Sequence, residues 1–397
     1  MKLRALVLLL TCLVTAVPAA TLSERTYKKL SQIQELMGEN KYREAQKRIE
    51  VLLPRVRKHR YEYAVVMQTY GYLHAAMNRY RKAVEAFEAA LATETLPDEV
   101  QQNLRYNLAQ LYAAIPDWRG AARAYEQWLA TASNPSAESY AFGATIYAQL
   151  KNYAKAIPKI RKAIALAKKP RENWYQLLLA MYYERKQYRQ AVGVLETMVA
   201  LWPDRERYWK QLSGVHYSLG HTRKALAVMA LTYRRGFLDT EKELMNLVNL
   251  YLLEKIPYKA ARLMEKEMKA GRIRATGRHL QKLGEAWMLA RETDAALEKL
   301  RAAAEVQEKG VLYLRLAQLY LDKEQWKKAA EAARRAIELG GLKHPGDAWL
   351  IAGMAYHELG KRKAALDAFR RASRDRKARR QARQWLNYLR EEARQTG

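Results

Sequence analysis

His216 and His221, five residues apart, are the nearest pair among the seven histidines. That interval does not bring two side chains onto one helical face. His74 and the remaining imidazoles are scattered, and acidic residues are plentiful but nowhere spaced as an acid–base pair. No G-x-S-x-G elbow, phosphate-cradling glycine loop, H-E-x-x-H pair or G-x-G-x-x-G turn occurs. No catalytic residue, metal ligand or cofactor is expected, and the chain is not read as an enzyme. One stretch does look like a constellation: "AWLIAGMAYHELGKRKAALDAFRRA", residues 348 to 372, with Trp349, Gly353, Tyr356, Ala365, Phe369 and Ala372 at intervals of four, three, nine, four and three.

The interval recurs, which points to packing. Ala45, Ala83, Ala121, Ala156, Ala191, Ala225, Ala260, Ala296, Ala329 and Ala365 follow one another at steps of 33 to 38 residues. Four residues after each stands a large apolar residue, Ala333 excepted. Nine before stand Leu36, His74, Tyr112, Tyr147, Tyr182, His216, Tyr251, Trp287, Tyr320 and Tyr356. Small residues let two helices of a pair approach closely, and aromatics fill the gap to the next pair. Tyr356 and Phe369 are therefore expected in a core, and His74 and His216 as buried, hydrogen-bonded imidazoles.

With W-x2-L-G-x2-Y, A-x3-F and closing prolines such as Pro203, the pattern resembles the tetratricopeptide repeat family over nearly the whole chain. The resemblance implies an all-α, right-handed superhelical solenoid of about ten antiparallel helix pairs. Residues 1–20 are set apart as a leader, 21–373 as the solenoid, and 374–397 as one amphipathic, basic capping helix with Trp385, Leu386 and Leu389.

The resemblance further implies a groove lined by the first helix of each pair, at slots 18, 15, 14 and 11 before the repeating alanine. Here those slots hold Asn103, Tyr106, Asn107, Gln110, Asn173, Gln176, Lys210, Asn246, Asn249 and Lys282, with Tyr72 and Thr145 among others. Amides and phenols both donate and accept, which suits an extended peptide backbone. Lys210, Asn246, Arg278 and Lys282 also match four slots of the set with which relatives grip a C-terminal carboxylate; the fifth, an Asn there, is Gly214 here.

Charge and the leader bear on partners. "MKLRALVLLLTCLVTAVPAATLSE" joins a positive start to an apolar run from Ala5 to Val17, too short for the ~20 residues a bilayer span needs. Cleavage near Ala19 or Ala20 would remove Cys12, the only cysteine, and leave a thiol-free periplasmic chain. That chain carries 69 Lys and Arg against 41 Asp and Glu, a net +28, and thirteen of the cations fall after Leu359. In an exported protein such charge suits anionic glycan or lipid rather than nucleic acid, so an envelope-binding surface stands as the alternative function.

The stretches "NPSAESYAFGATIYAQLKNYAKAI", "PRENWYQLLLAMYYERKQYRQAVGVLETMVALWPD", "IPYKAARLMEKEM" and "LRLAQLYLDKEQW" resemble exported tetratricopeptide proteins that accompany the TonB, ExbB and ExbD systems of Gram-negative bacteria. That resemblance implies a scaffold for protein partners in TonB-dependent nutrient uptake, such as that of iron complexes.

Overall fold

The computed structural model describes residues 22–395, so the leader and Cys12 lie outside the described residues. Two compact units divide the chain, one running to Val194 and the other from Leu195, with the boundary inside a helix.

The first unit holds α1 (Glu24–Gly38) with α2 (Tyr42–Val56), α3 (Arg60–Ala76) with α4 (Tyr80–Leu91), and α5 (Asp98–Ala114) with α6 (Trp118–Thr131). Next come α7 (Ala137–Gln149) with α8 (Tyr153–Leu166), and α9 (Glu172–Glu184), after which α10 (Tyr188–Leu201) crosses the boundary. The second unit continues with α11 (Glu206–Ser218) and α12 (Thr222–Arg234), α13 (Glu241–Leu253) and α14 (Pro257–Lys269), and α15 (Gly277–Leu289) and α16 (Thr293–Gln307). Then follow α17 (Gly310–Asp322) with α18 (Trp326–Leu339), α19 (Pro345–Glu358) with α20 (Arg362–Ala372), and α21 (Arg379–Gln395). The described residues form ten hairpins and a final helix, as the ten alanines require, with no strand.

Local chemistry sets the helix ends. Ser136, Asn152 and Thr276 each accept a backbone N–H three residues on. Thr240 and Glu243 form a reciprocal capping box ahead of α13. Pro257 and Pro345 open their helices, where a missing N–H costs nothing. Between the two helices of nine hairpins the chain turns through one left-handed residue. Asn40, Asn78, Lys151, Lys186, Lys255, Arg291 and Glu324 hold φ between 54° and 62°, and Gly220 and Gly360 take the same slot. The turn is closed by paired backbone bonds, such as Lys255 N–H to Leu252 O at 3.1 Å and Ile256 N–H to Tyr251 O at 2.8 Å.

All ten repeating alanines are fully buried, and so are the large residues four places on, from Ile49 to Phe369, except Met229 at 9% accessible. A Cβ placed on Gly71 would lie 2.3 Å from the Phe87 ring, and one on Gly353 would lie 2.6 Å from Phe369, so these glycines exist to admit a ring. The aromatic slot divides. His74, Tyr147, Tyr182, His216 and Trp287 are buried, whereas Tyr112, Tyr251, Tyr320 and Tyr356 are only partly so. Tyr356 therefore sits at the margin of the core, partly buried and packed against the cluster that holds Phe369.

Two further expectations need correcting. His74 and His216 are buried, yet the Nδ1 of each has no hydrogen-bond partner among the described residues. Burial, with Lys82 and Arg79 nearby, lowers His74 to about 4 and keeps it neutral, so the ring behaves as a small aromatic. The last helix begins at Arg379 rather than Arg374. Asp375 ends the preceding run by accepting the N–H groups of Lys377 (2.8 Å) and Gly346 (3.3 Å), which forces a turn. α21 then lays Trp385 flat on Phe369, with centroids 5.3 Å apart and planes 6° apart, and buries Ala382 and Leu389.

Candidate binding surface

Residues three and four apart share a helix face, so Asn103, Tyr106, Asn107 and Gln110 form one stripe along α5. Asn103 is exposed, and Asn107 and Gln110 are half-exposed. Asn107 Nδ2 donates to the Tyr72 hydroxyl at 3.2 Å, which ties α5 to α3. Tyr106 belongs more to packing than expected. Its ring lies 4.6 Å from Trp128 and 5.8 Å from Phe142, and burial pushes its hydroxyl up, with the Gln110 hydrogen bond pulling the other way.

The same slots on α7 hold Phe142 and Thr145. Thr145 spends its hydroxyl on Ala141 O (2.9 Å) within its own helix. The amide row of the first unit is therefore interrupted by an aromatic step before Asn173 and Gln176 resume it on α9. Asn173 is exposed, and Gln176 Nε2 donates to Glu172 at 3.3 Å.

In the second unit the carboxylate-gripping set does not assemble. Lys210 on α11 lies 2.8 Å from Glu243 and 3.5 Å from Glu206, so its charge is already answered. Burial pulls Lys210 down, but the hydrogen bonds and charges of Glu243 and Glu206 together outweigh it and hold the ammonium above its usual range. Glu243, which burial would raise, is lowered by the same contact. Lys282 on α15 donates to Asn249 Oδ1 at 3.2 Å. Arg278 is exposed, with no carboxylate in ion-pair range among the described residues. An acceptor sits where a free ammonium was expected, because α13 carries Glu243 at the capping-box position facing α11.

What the second unit does present is a cleft of about 420 Å³ between α11 and α13. Asn246 and Asn249 line one side, and Ser213 and Gly214 the other. No heavy atom approaches within 4 Å of a Cβ position on Gly214, so this glycine leaves open space. Tyr217 and Leu253 form an exposed apolar lip, 57% and 52% accessible. Sequence reasoning missed this lip. The signal was partial: seven before the repeating alanine, where Leu253 stands, three other hairpins carry Glu184, Asp322 and Glu358, but α15 carries Leu289.

Among the described residues no cluster of His, Cys, Asp or Glu could hold a metal ion. No described helix is long and apolar enough to cross a membrane.

Comparison with known proteins finds repeat models over part of the chain. Tetratricopeptide-repeat family models match residues 71–138, 137–170 and 314–379. Similar solved structures include the MamA protein, 20% identical over 42% of this chain and 89% of its own, with a TM-score of 0.35. YrrB, a TPR protein with an unusual peptide-binding site, is 18% identical over 45% of this chain and 90% of its own, with a TM-score of 0.36. A tetratricopeptide repeat protein from Parabacteroides merdae is 14% identical over 75% of this chain and all of its own, with a TM-score of 0.37. No curated protein matches the sequence significantly. The fold is that of a tetratricopeptide repeat array.

Proposed function

We propose that this array of tetratricopeptide hairpins is a non-catalytic, exported adaptor. It holds an extended segment of a partner protein along its first helices, in the periplasm, as an accessory of TonB-dependent energy transduction and nutrient uptake. The observation that carries the binding part is the cleft between α11 and α13. Two exposed amides there stand beside an apolar lip and an open glycine. Such a surface can pair with a peptide backbone while taking one apolar side chain. The exported location draws on the leader-like start, and the link to TonB draws on the four resembling stretches.

The test is in-cell photo-crosslinking from position 249, with Arg161 on α8 as the reference position. An adduct with one dominant protein at 249, absent at 161, supports the groove. Equal adducts at both positions sink it. Identification of the adduct tests the second half separately: a partner unrelated to TonB-dependent uptake would leave the adaptor and remove that assignment.

A further inference from the structure

The second helices carry a feature that peptide binding does not use. Two clefts of about 610 and 780 Å³ lie between α12 and α14, and they share Tyr233, Tyr251 and Lys259. The first adds Tyr258, Arg262, Lys266 and Lys269, and the second adds Arg223 and Arg234. On α14 the spacing is telling: Lys259, Arg262, Lys266 and Lys269 stand at i, i+3, i+7 and i+10, one charged stripe down one face. Like charges at such spacing repel by a few tenths of a kcal/mol per pair, a cost the fold does not need.

The carboxylates that line the clefts, Glu265 in the first and Glu254 in the second, are already engaged, and neither reaches Lys259 or Arg262. Glu265 lies 3.3 Å from Lys299 and at the 4.0 Å limit from Lys269. Glu254 accepts from the Thr222 hydroxyl and from Arg223. Glu267 is fully buried and taken by the Tyr233 hydroxyl and Arg272. Lys259, Arg262 and Arg234 are exposed, with no carboxylate in ion-pair range among the described residues. Lys266 lies 5.4 Å over the Tyr233 ring. Tyr258 is half exposed and braced edge-on against Trp287 at 5.6 Å and 76°.

The geometry points to a phosphorylated sugar as the ligand of this site. The phosphate meets Lys259 and Arg262, and the sugar ring lies against Tyr258 and Tyr251. Unanswered cations bind a phosphate by charge-assisted hydrogen bonds. A braced ring offers an apolar face to the C–H side of a sugar. The concave shape and the volumes suit a small headgroup. Tyr258 stands edge-on to Trp287, and among the described residues no parallel pair of rings lines the clefts, so a base would not be sandwiched there. Apart from Tyr251 near the end of α13, the proposed contacts lie on α14 rather than on the helix that carries the amides, and this site stands or falls apart from the amide groove.

The test is calorimetric titration of the full mature chain with glucose phosphate, glucose and inorganic phosphate. Glucose phosphate should bind about tenfold more tightly than inorganic phosphate. Lys259→Glu with Arg262→Glu should weaken it by about tenfold or more, while Arg379→Glu with Arg380→Glu on α21 should leave it unchanged. Tyr258→Ala should bring glucose phosphate down to the level of inorganic phosphate without altering the latter. All of these residues are exposed or half exposed, and a melting curve checks that each variant stays folded.

Equal affinity for the two phosphates, or equal loss from both charge reversals, overturns the proposal. Vesicles of phosphatidylcholine carrying a phosphorylated glycolipid separate the sources. Binding that the Lys259 and Arg262 reversal abolishes assigns a lipid-linked sugar, and binding of the soluble probe alone assigns a free one. Equal binding to plain phosphatidylglycerol vesicles overturns the sugar half.

Discussion

Gly353→Ala is a single methyl, and the structure says where it goes. Its Cβ would lie 2.6, 2.7 and 2.9 Å from Cε1, Cδ1 and Cζ of Phe369. That ring is fully buried, and Trp385 is stacked flat against it, so it has little room to retreat. Overpacking of this kind costs about 1–3 kcal/mol. Replacing a helical glycine by alanine returns about 1 kcal/mol, so the net loss should be up to about 2 kcal/mol. Gly193→Ala makes the same chemical change where no heavy atom stands within 4 Å, and it should stabilise by about 0.5–1 kcal/mol. A repeat array need not unfold in one step, so the readout is local: hydrogen exchange of amides in α19 and α20. Exchange there should quicken, by up to about thirtyfold, in Gly353→Ala. Phe369→Leu in the same background should restore part of the protection. If Gly353→Ala instead slows exchange, as the Gly193 control should do locally, the ring is not wedged and the packing argument fails.

Other expectations are as direct. His74 takes its proton near pH 4 when folded and near 6.5 when unfolded, so the unfolded chain binds more protons between those values. Stability should therefore fall as pH drops from 6.5 to 4, by up to about 3 kcal/mol, and His74→Leu should flatten that part of a denaturation-versus-pH series. Trp385→Ala should cost about 2 kcal/mol, less than for a fully buried tryptophan, and α21 amides should then exchange freely. Asn246→Ala with Asn249→Ala should shift melting by no more than about 0.5 kcal/mol while emptying a partner pull-down; retention of the partner would refute the cleft's role. A periplasmic fraction should contain a chain beginning near Ala20 or Thr21, and an intact Met1 end in the cytosol would overturn the export reading.

Much of the fold was legible because it is written ten times. One alanine with nothing but small surroundings is ambiguous, but ten at 33 to 38 residues define a register, and every one proved fully buried. Tyr112 and Tyr356 were harder, since a phenol with its polar tip can fill an aromatic slot and still be only partly buried. His74 was misread for a related reason: type told of burial but not of partners, and no acceptor reaches its Nδ1. The candidate surface was half legible. Spacing put Asn103, Asn107, Asn246 and Asn249 on accessible faces, as observed. It could not tell that Lys210 leans onto Glu243 from the next hairpin, nor that Gly214 opens a cleft, because both depend on distances between helices far apart in sequence.

The left-handed turns have a consequence for how such a chain changes length. Seven of them are filled by Asn, Lys, Arg or Glu, and two by glycine, with nearly the same φ. The joint is thus a conformation closed by backbone bonds, and it makes little demand on the identity of the residue that adopts it. One residue inserted within a helix would rotate every later side chain by about 100° and scatter the buried face. A whole hairpin added or lost brings its own joint and leaves every neighbour's register intact. Natural variants of this chain should therefore differ in length by complete repeats, as gene duplication supplies them, with small insertions confined to the links between hairpins.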